Sequence, residues 1–388
     1  MVVLLDSPQP VFVLPPLSEI TDTAEDKPLA GDLPDELGPM GLPELMFGAA
    51  SFSNQYNADD HLSSVVPLRT VRLALRYGIK AFDTSAYYGP SEIVLGTALK
   101  TLEAEFPRES YKLLTKCGRY GATSKDFDYS PATIRRSVQR SLNRLNTSYL
   151  DAVYLHDVEF VCATVQPRSA GNHVTALSTE GSEYGLAPGQ ETTIWGHGDK
   201  VVLDAYAELR KLKEEGLIRH IGISGYPLPV LLRISLLILH TAPYEPVDVL
   251  MSYSHLNLQN SSFADFVPHF RNRARVQQLV TASPVNMGLL SPSPPAWHPA
   301  PKEIKDAVRA ANEEMKGEIV NLALGYSYRA ARGLQLPTVV GLSRPSEVHE
   351  TIHIWRDLKV DGGAERMTNE EKVWGHLAAY KDHSWASP

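Results

Sequence analysis

From Leu45 onward the chain alternates short apolar runs with amphipathic stretches of helical length. That alternation is the pattern of repeated βα units closing on a parallel sheet. The apolar runs place strands at 45–50, 81–84, 112–116, 151–156, 220–224, 247–252, 278–283 and 338–341. A set of that size suits a closed barrel better than an open sheet. Between the strands, helix signals are legible. Ser130 followed by Pro131 reads as an N-cap with proline at the first helical position. Ile134, Val138, Leu142 and Leu145 then recur at helical spacing. Arg135, Arg136, Arg140 and Arg144 take the other positions and read as a solvated face rather than an anion site. A second helix is expected over 200–215, stopped by Gly216, and a long one over 302–332.

Two stretches break the rhythm. Residues 1–43 are rich in Pro, Asp and Gly and read as an extended lead-in, with one barrel domain over 44–388. Residues 158–199 are polar and Gly-rich and offer no clear element. A loop of that length is functional or disordered. Because it leaves the end of the fourth strand, it reads as an enlarged substrate loop or lid, against an insertion with no role. The fold expected is therefore α/β, a (β/α)8 TIM barrel with an extended N-terminal segment and a long insertion after strand 4.

Composition narrows the partners. Of 388 residues, 43% are hydrophobic and 21% charged, an ordinary globular balance. The net charge of -8 disfavours nucleic acid and anionic membranes. The run from Val2 to Leu5 is too short for a signal peptide. The most apolar run, Leu228 to Leu239, is interrupted by Arg233 and falls short of a membrane span. Cys117 and Cys162 form neither a disulfide framework nor a metal pattern, so a cytoplasmic, metal-free protein with reduced thiols is expected. Cys117 adjoins Lys116 but belongs on the other face of its strand.

The chemistry concentrates at strand ends. Phe82-Asp83-Thr84-Ser85-Ala86-Tyr87-Tyr88-Gly89 is followed one strand later by Leu113-Leu114-Thr115-Lys116, and one more brings Val153-Tyr154-Leu155-His156. Barrel active sites lie at the C-terminal ends of the strands. Asp83, Lys116 and His156 fall there on consecutive strands, with Tyr88 in the loop after the first. Those types suit proton transfer at a carbonyl or alcohol carbon. A lysine beside a tyrosine lowers the phenol pKa, an aspartate keeps the lysine charged, and a histidine orients the substrate oxygen. The companion hydride step needs a cofactor, because no side chain donates hydride. No G-x-G-x-x-G opens a helix after the first strand, so a Rossmann site is excluded.

Asp83-Thr-Ser-Ala-Tyr-Tyr88-Gly resembles the D-T-A-x-x-Y-G signature of the aldo-keto reductases. Lys116 and His156 fall where that family completes its catalytic tetrad, and the resemblance runs from about residue 45 to 352. It implies nicotinamide bound on the barrel. Gly48, Ser224, Gly225, Ser252, Ser283, Pro284, Gly288, Leu290, Gly341, Ser343, Arg344 and Glu347 are the cofactor positions it implies. Gly225 stands where the family has Asn, Ala282 where a stacking aromatic sits, and Ser252 where a Gln contacts the carboxamide. Glu347 stands where NADPH-using members carry Arg, which favours NAD, while Arg344 keeps NADP in play.

The same departures resemble the branch that holds L-galactose dehydrogenase and the fungal NAD-dependent D-arabinose 1-dehydrogenase. That branch implies oxidation of an aldose, D-arabinose or a similar sugar, at C1 to the lactone. Tyr56, Tyr87 and His255 are the substrate-facing residues expected, with Asn257 beside His255. A monomer or weak homodimer acting on a small molecule is expected. Two further readings stay open: NADPH-dependent reduction of an aldehyde or ketone of specialised metabolism, and a non-catalytic nicotinamide-binding regulatory subunit.

Overall fold

The computed structural model describes residues 10–360 and 364–387. The Val2–Leu5 run and the first nine residues of the lead-in lie outside the described residues. All eight expected strands form, within two residues of their expected bounds: β1 Leu45–Gly48, β2 Ala81–Asp83, β3 Lys112–Cys117, β4 Leu150–Leu155, β5 Ile218–Gly225, β6 Val249–Tyr253, β7 Gln278–Ala282 and β8 Thr338–Gly341. They close into a barrel in chain order, with β8 hydrogen-bonded to β1. The registers are parallel, for example Phe47 opposite Phe82 and Lys116 opposite Tyr154. Every residue of β1, β2 and β4 is buried. Strands covered on both faces are apolar throughout rather than alternating, which is why the runs stood out.

The barrel strands divide between two compact units. The first comprises Met1–Cys162, Gly198–Ile223 and Val339–Ile352; the second comprises Ala163–His197, Ser224–Thr338 and His353–Pro388.

In the first unit, helices α1 Val66–Arg76, α2 Ser91–Thr101, α3 Pro131–Arg144 and α4 His197–Glu214 follow their strands. Ser130 does occupy the N-cap of α3, but its side chain makes no cap bond. Asp128 instead braces the turn into the helix, accepting from the Ser130 amide at 2.8 Å and the Thr133 hydroxyl at 2.7 Å. The expectation of a solvated arginine face on α3 is corrected. Arg140 and Arg144 are buried, and Arg144 pairs with the buried Glu92 of α2 at 3.1 Å. Arg135 reaches Glu208 and Glu215, at 2.6 and 2.7 Å. Arg136 does face solvent, as expected, so the correction concerns Arg135, Arg140 and Arg144. The lead-in is tied down in the same way: Asp26 pairs with Arg69, and Asp22 with Arg72 and Arg76, each at 2.8 Å.

The second unit carries α5 Leu228–Leu239, α6 Phe263–Asn272, α7 Lys302–Glu314, α8 Ile319–Leu334 and α10 Ala364–Leu377; α9 Pro345–Val360 begins in the first unit. The long helix expected over 302–332 is two helices. Lys316 and Gly317 both take positive φ, 53° and 93°, which ends a right-handed helix after α7. The stretch 163–197 is built of hydrogen-bonded turns, correcting the expectation of no clear element. Its Tyr184 is fully buried and meets His173 Nδ1 at 2.9 Å, and Gly171 bridges to Ser384 near the C-terminus. Arg233, the residue that interrupts the apolar run of α5, is buried and donates to the Ala163 carbonyl at 2.8 Å. Among the described residues no helix is long and apolar enough to cross a membrane.

Candidate active site

The first unit brings the four expected catalytic side chains together. β2 ends on Asp83, β3 carries Lys116 at its penultimate position, and His156 follows β4. Parallel registry sets Asp83 against Leu114 and Lys116 against Tyr154, so the ends are staggered and the side chains converge. Lys116, 2% exposed, donates to Asp83 Oδ1 at 2.5 Å and to the Thr84 carbonyl at 2.9 Å. Its ammonium also lies 4.9 Å from the Tyr88 ring centroid, close enough for its charge to act on the phenol. Two of its three donors are committed to Asp83 and the Thr84 carbonyl.

The electrostatics oppose one another. Burial pushes the Tyr88 phenol above its ordinary value, and Asp83 and Asp157 add to this; Lys116 pulls it back. The net direction is upward, where a lowered phenol pKa was expected from the Lys116 contact. Desolvation outweighs one cation when that cation is itself neutralised by Asp83. Lys116 stays protonated, its value raised by Asp83 and Tyr88 in spite of burial. His156 is held well below the ordinary histidine value by burial, Lys116 and Arg119. It is a neutral imidazole at neutral pH.

His156 is fixed on several sides. Its amide donates to the Cys117 carbonyl at 3.0 Å, and its carbonyl accepts from the Tyr129 hydroxyl at 2.6 Å. Gly118, at φ 98°, makes room for that tyrosine: a Cβ there would fall 2.3 Å from the ring. Ser85 Oγ meets His156 Nδ1 at 3.0 Å while accepting the Tyr87 amide at 3.1 Å. Nε2 faces the Asp157 carboxylate at 3.5 Å, which favours the proton on that side, so Ser85 donates to Nδ1. That leaves the proton on Nε2, the tautomer able to donate to a substrate oxygen. The family motif has Ala where this chain has Ser85. Ser85→Ala is expected to slow turnover about fivefold, the worth of one net hydrogen bond. The His156 ring nitrogen shifts in a nitrogen NMR spectrum should move toward mixed tautomers, and Ser85→Thr should restore both.

The expected substrate residues divide. Tyr87 sits 5.9 Å from the His156 ring and 6.0 Å from that of Tyr88. Tyr56 is exposed. His255, in the second unit, is committed to structure, correcting its expected substrate role. Its Nδ1 faces the Tyr253 carbonyl at 2.9 Å and its Nε2 the Ser384 hydroxyl at 3.0 Å. Asn257 likewise accepts from the Gln259 and Asn260 amides.

The expected cofactor positions fit a dinucleotide unevenly. In the second unit Ser224 and Gly225 end β5 and are buried. Ser252, on β6, has a buried hydroxyl with no hydrogen-bond partner among the described residues, the kind of orphan a carboxamide satisfies. Ser283, at φ 63°, accepts the Met287 amide at 2.7 Å and shapes the turn through Pro284 to Gly288. Leu290 is a core residue instead, packed with Leu289, Ile304 and Val308, and its expected cofactor contact is corrected.

In the first unit Gly48 serves strand packing, because a Cβ there would come within 3.0 Å of Val339 and of the Val340 carbonyl. A Cβ on Gly341 would meet nothing, so the backbone beyond β8 is open to approach. Beyond it, the Glu347 carboxylate accepts from the Ser343 amide at 2.6 Å, the Ser343 hydroxyl at 3.1 Å and the Arg344 amide at 3.3 Å.

Ser85, Arg119, Tyr154 and Asp157 surround the tetrad unannounced. Asp157 pairs with Arg119, and the buried Tyr154 hydroxyl is unpartnered among the described residues. Of these, Asp157 had a sequence signal, its place directly after His156.

Comparison with known proteins identifies the family. The model of the aldo/keto reductase family matches residues 44–362, and the chain belongs to that family. It is 35% identical over 324 residues to L-galactose dehydrogenase of Arabidopsis thaliana, covering 82% of this chain and 86% of the relative. It is 33% identical over 344 residues to D-arabinose 1-dehydrogenase of Saccharomyces cerevisiae, covering 87% and 88%. Among solved structures it is similar to the holo form of an aldo-keto reductase from Bacillus halodurans. That match has a TM-score of 0.58 at 22% identity and covers 88% of this chain and 96% of the other. The chain is thus a nicotinamide-dependent oxidoreductase acting on a small molecule.

Proposed function

We propose that this enzyme oxidises an aldose at C1 to the lactone, with NAD as hydride acceptor. The likeness to two sugar 1-dehydrogenases over more than four-fifths of the chain carries the substrate class. Bound, the oxidised dinucleotide would supply the hydride acceptor, with Ser252 among the residues that would hold it. The chain's residues handle the proton. His156 Nε2–H holds the sugar's O1, and Tyr88 takes the O1 proton as the C1–H bond breaks and C1=O forms. Lys116 stabilises the phenolate, which is regenerated when the phenol releases this proton to solvent between turnovers, and Asp83 holds Lys116 in place. Steady-state rates with D-arabinose and L-galactose, each with NAD and NADP, test the reading. Activity on no aldose with NAD would remove it.

Glu347 supports the choice of NAD. Its carboxylate already occupies the amides of Ser343 and Arg344, the donors that would otherwise receive a phosphate at the head of α9. A 2′-phosphate there meets a like charge; a free 2′-hydroxyl can donate to it. Glu347→Arg is therefore expected to raise kcat/KM with NADP about tenfold or more and to lower it with NAD. An unchanged cofactor ratio would remove Glu347 from cofactor choice. NADPH-dependent carbonyl reduction is the second reading, favoured by the exposed Arg344 beside Ser343.

A further inference from the structure

One charged pair beside the tetrad has no task in the chemistry above. Asp157 follows His156 and sits in the left-handed region, at φ 54° and ψ 62°. Aspartate is one of the few side chains that tolerate that conformation readily, and here it turns the chain sharply after His156. Its Oδ2 lies 3.5 Å from His156 Nε2 and is paired with Arg119. Arg119 is itself caged: its guanidinium stacks 4.0 Å over Tyr87 and stands 5.4 and 5.5 Å from Phe127 and Phe160.

Asp157 is 1% exposed and Arg119 7%. A buried ion pair is tolerated when its remaining lone pairs are satisfied. Here they are not. Asp157 Oδ1 is buried and has no hydrogen-bond partner among the described residues. The carboxylate is close enough to Tyr88 and Lys116 for charge to act between them, so it belongs to the reacting cluster rather than to its outer shell. A purely structural aspartate would need only the oxygen that Arg119 holds.

We propose that Asp157, oriented by Arg119, is the specificity-determining acceptor for the substrate hydroxyl next to the reacting carbon. The proposal rests on the reading of the substrate as an aldose. His156 holds O1, and the group beside O1 on the neighbouring carbon is the 2-hydroxyl. An aldose carries it and a plain aldehyde does not. A desolvated carboxylate oxygen gains a charge-assisted hydrogen bond from the first and stays unpaired with the second. Sites built this way reject analogues that lack the hydroxyl far more strongly than apolar pockets reject a methylene.

The test compares wild type, Asp157→Asn and Asp157→Ala on three substrates. These are D-arabinose with NAD, 2-deoxy-D-ribose (D-arabinose without its 2-hydroxyl) with NAD, and benzaldehyde with NADH. For wild type, loss of the 2-hydroxyl is expected to lower kcat/KM about 10- to 100-fold. In both variants the preference for D-arabinose over 2-deoxy-D-ribose should fall by about that same factor, on top of whatever change all three substrates share. Equal losses on all three substrates would make Asp157 a structural or His156-positioning residue and overturn the proposal. Unchanged rates in the variants would overturn it too, while leaving the sugar reading standing. A wild type that reduces benzaldehyde but oxidises no aldose would remove both.

Discussion

Tyr88→Phe is expected to lower kcat for oxidation by about 10²- to 10⁴-fold with little change in dinucleotide binding. Its phenolate is the proton acceptor in the cluster that Lys116 and His156 face: the His156 ring lies 5.8 Å from that of Tyr88, edge to face. Phe keeps the ring and its packing, so the loss reads the proton step and not the fold. A variant retaining more than about a tenth of wild-type turnover would place the proton acceptor elsewhere.

The same arrangement sets the pH dependence. Burial, with Asp83 and Asp157, holds the Tyr88 phenol above its ordinary value. His156 is held far below its own, so it does not change charge near neutrality. The oxidation rate should therefore climb with pH on a single alkaline limb, without a second limb near pH 6.5. A limb there would mean that His156 titrates in the working enzyme. Stability has the opposite landmark. Unfolded His156 takes up a proton near its ordinary pKa, about 6.5, and the folded protein refuses it. The contribution is present above that pH and is lost as pH falls below it.

How much of this was legible depends on what the residues report to their neighbours in sequence. The strands were legible because a buried parallel sheet needs unbroken apolar runs, and every residue of β4 is buried. The tetrad was legible because strand ends and site ends coincide in a barrel. The pairing of α3 was not: Arg144 in a helical repeat looks solvated until Glu92, on another helix, is known to lie under it. Arg119 gave no warning for the same reason, because its partner Asp157 lies a strand and a helix further on. His255 misled in the other direction. A polar residue beyond a strand end faces either a ligand or a neighbouring loop, and the loop here is the chain's own C-terminal segment at Ser384. Leu290 matched a family segment whose backbone turns near a cofactor, but its side chain goes to the core.

Breaking the Asp83–Lys116 pair is expected to separate stability from activity. Both groups are buried, and Asp83 Oδ2 already lacks a partner among the described residues. Lys116→Met leaves a desolvated carboxylate with no cation, and removal of one partner from a buried pair costs about 3–5 kcal/mol. Asp83→Leu leaves the ammonium with the Thr84 carbonyl but no opposing charge, so a comparable loss is expected. The double variant Asp83→Leu, Lys116→Met replaces the pair by apolar groups. Such replacements are often neutral or stabilising, so most of the stability should return in chemical denaturation. Activity should not return, because the phenolate then loses the side-chain cation beside it, and burial and Asp157 both hold the phenol pKa up. A double variant that regained both would show that the cation holds the barrel together without taking part in proton transfer. Single variants that kept full activity would show the same from the other side.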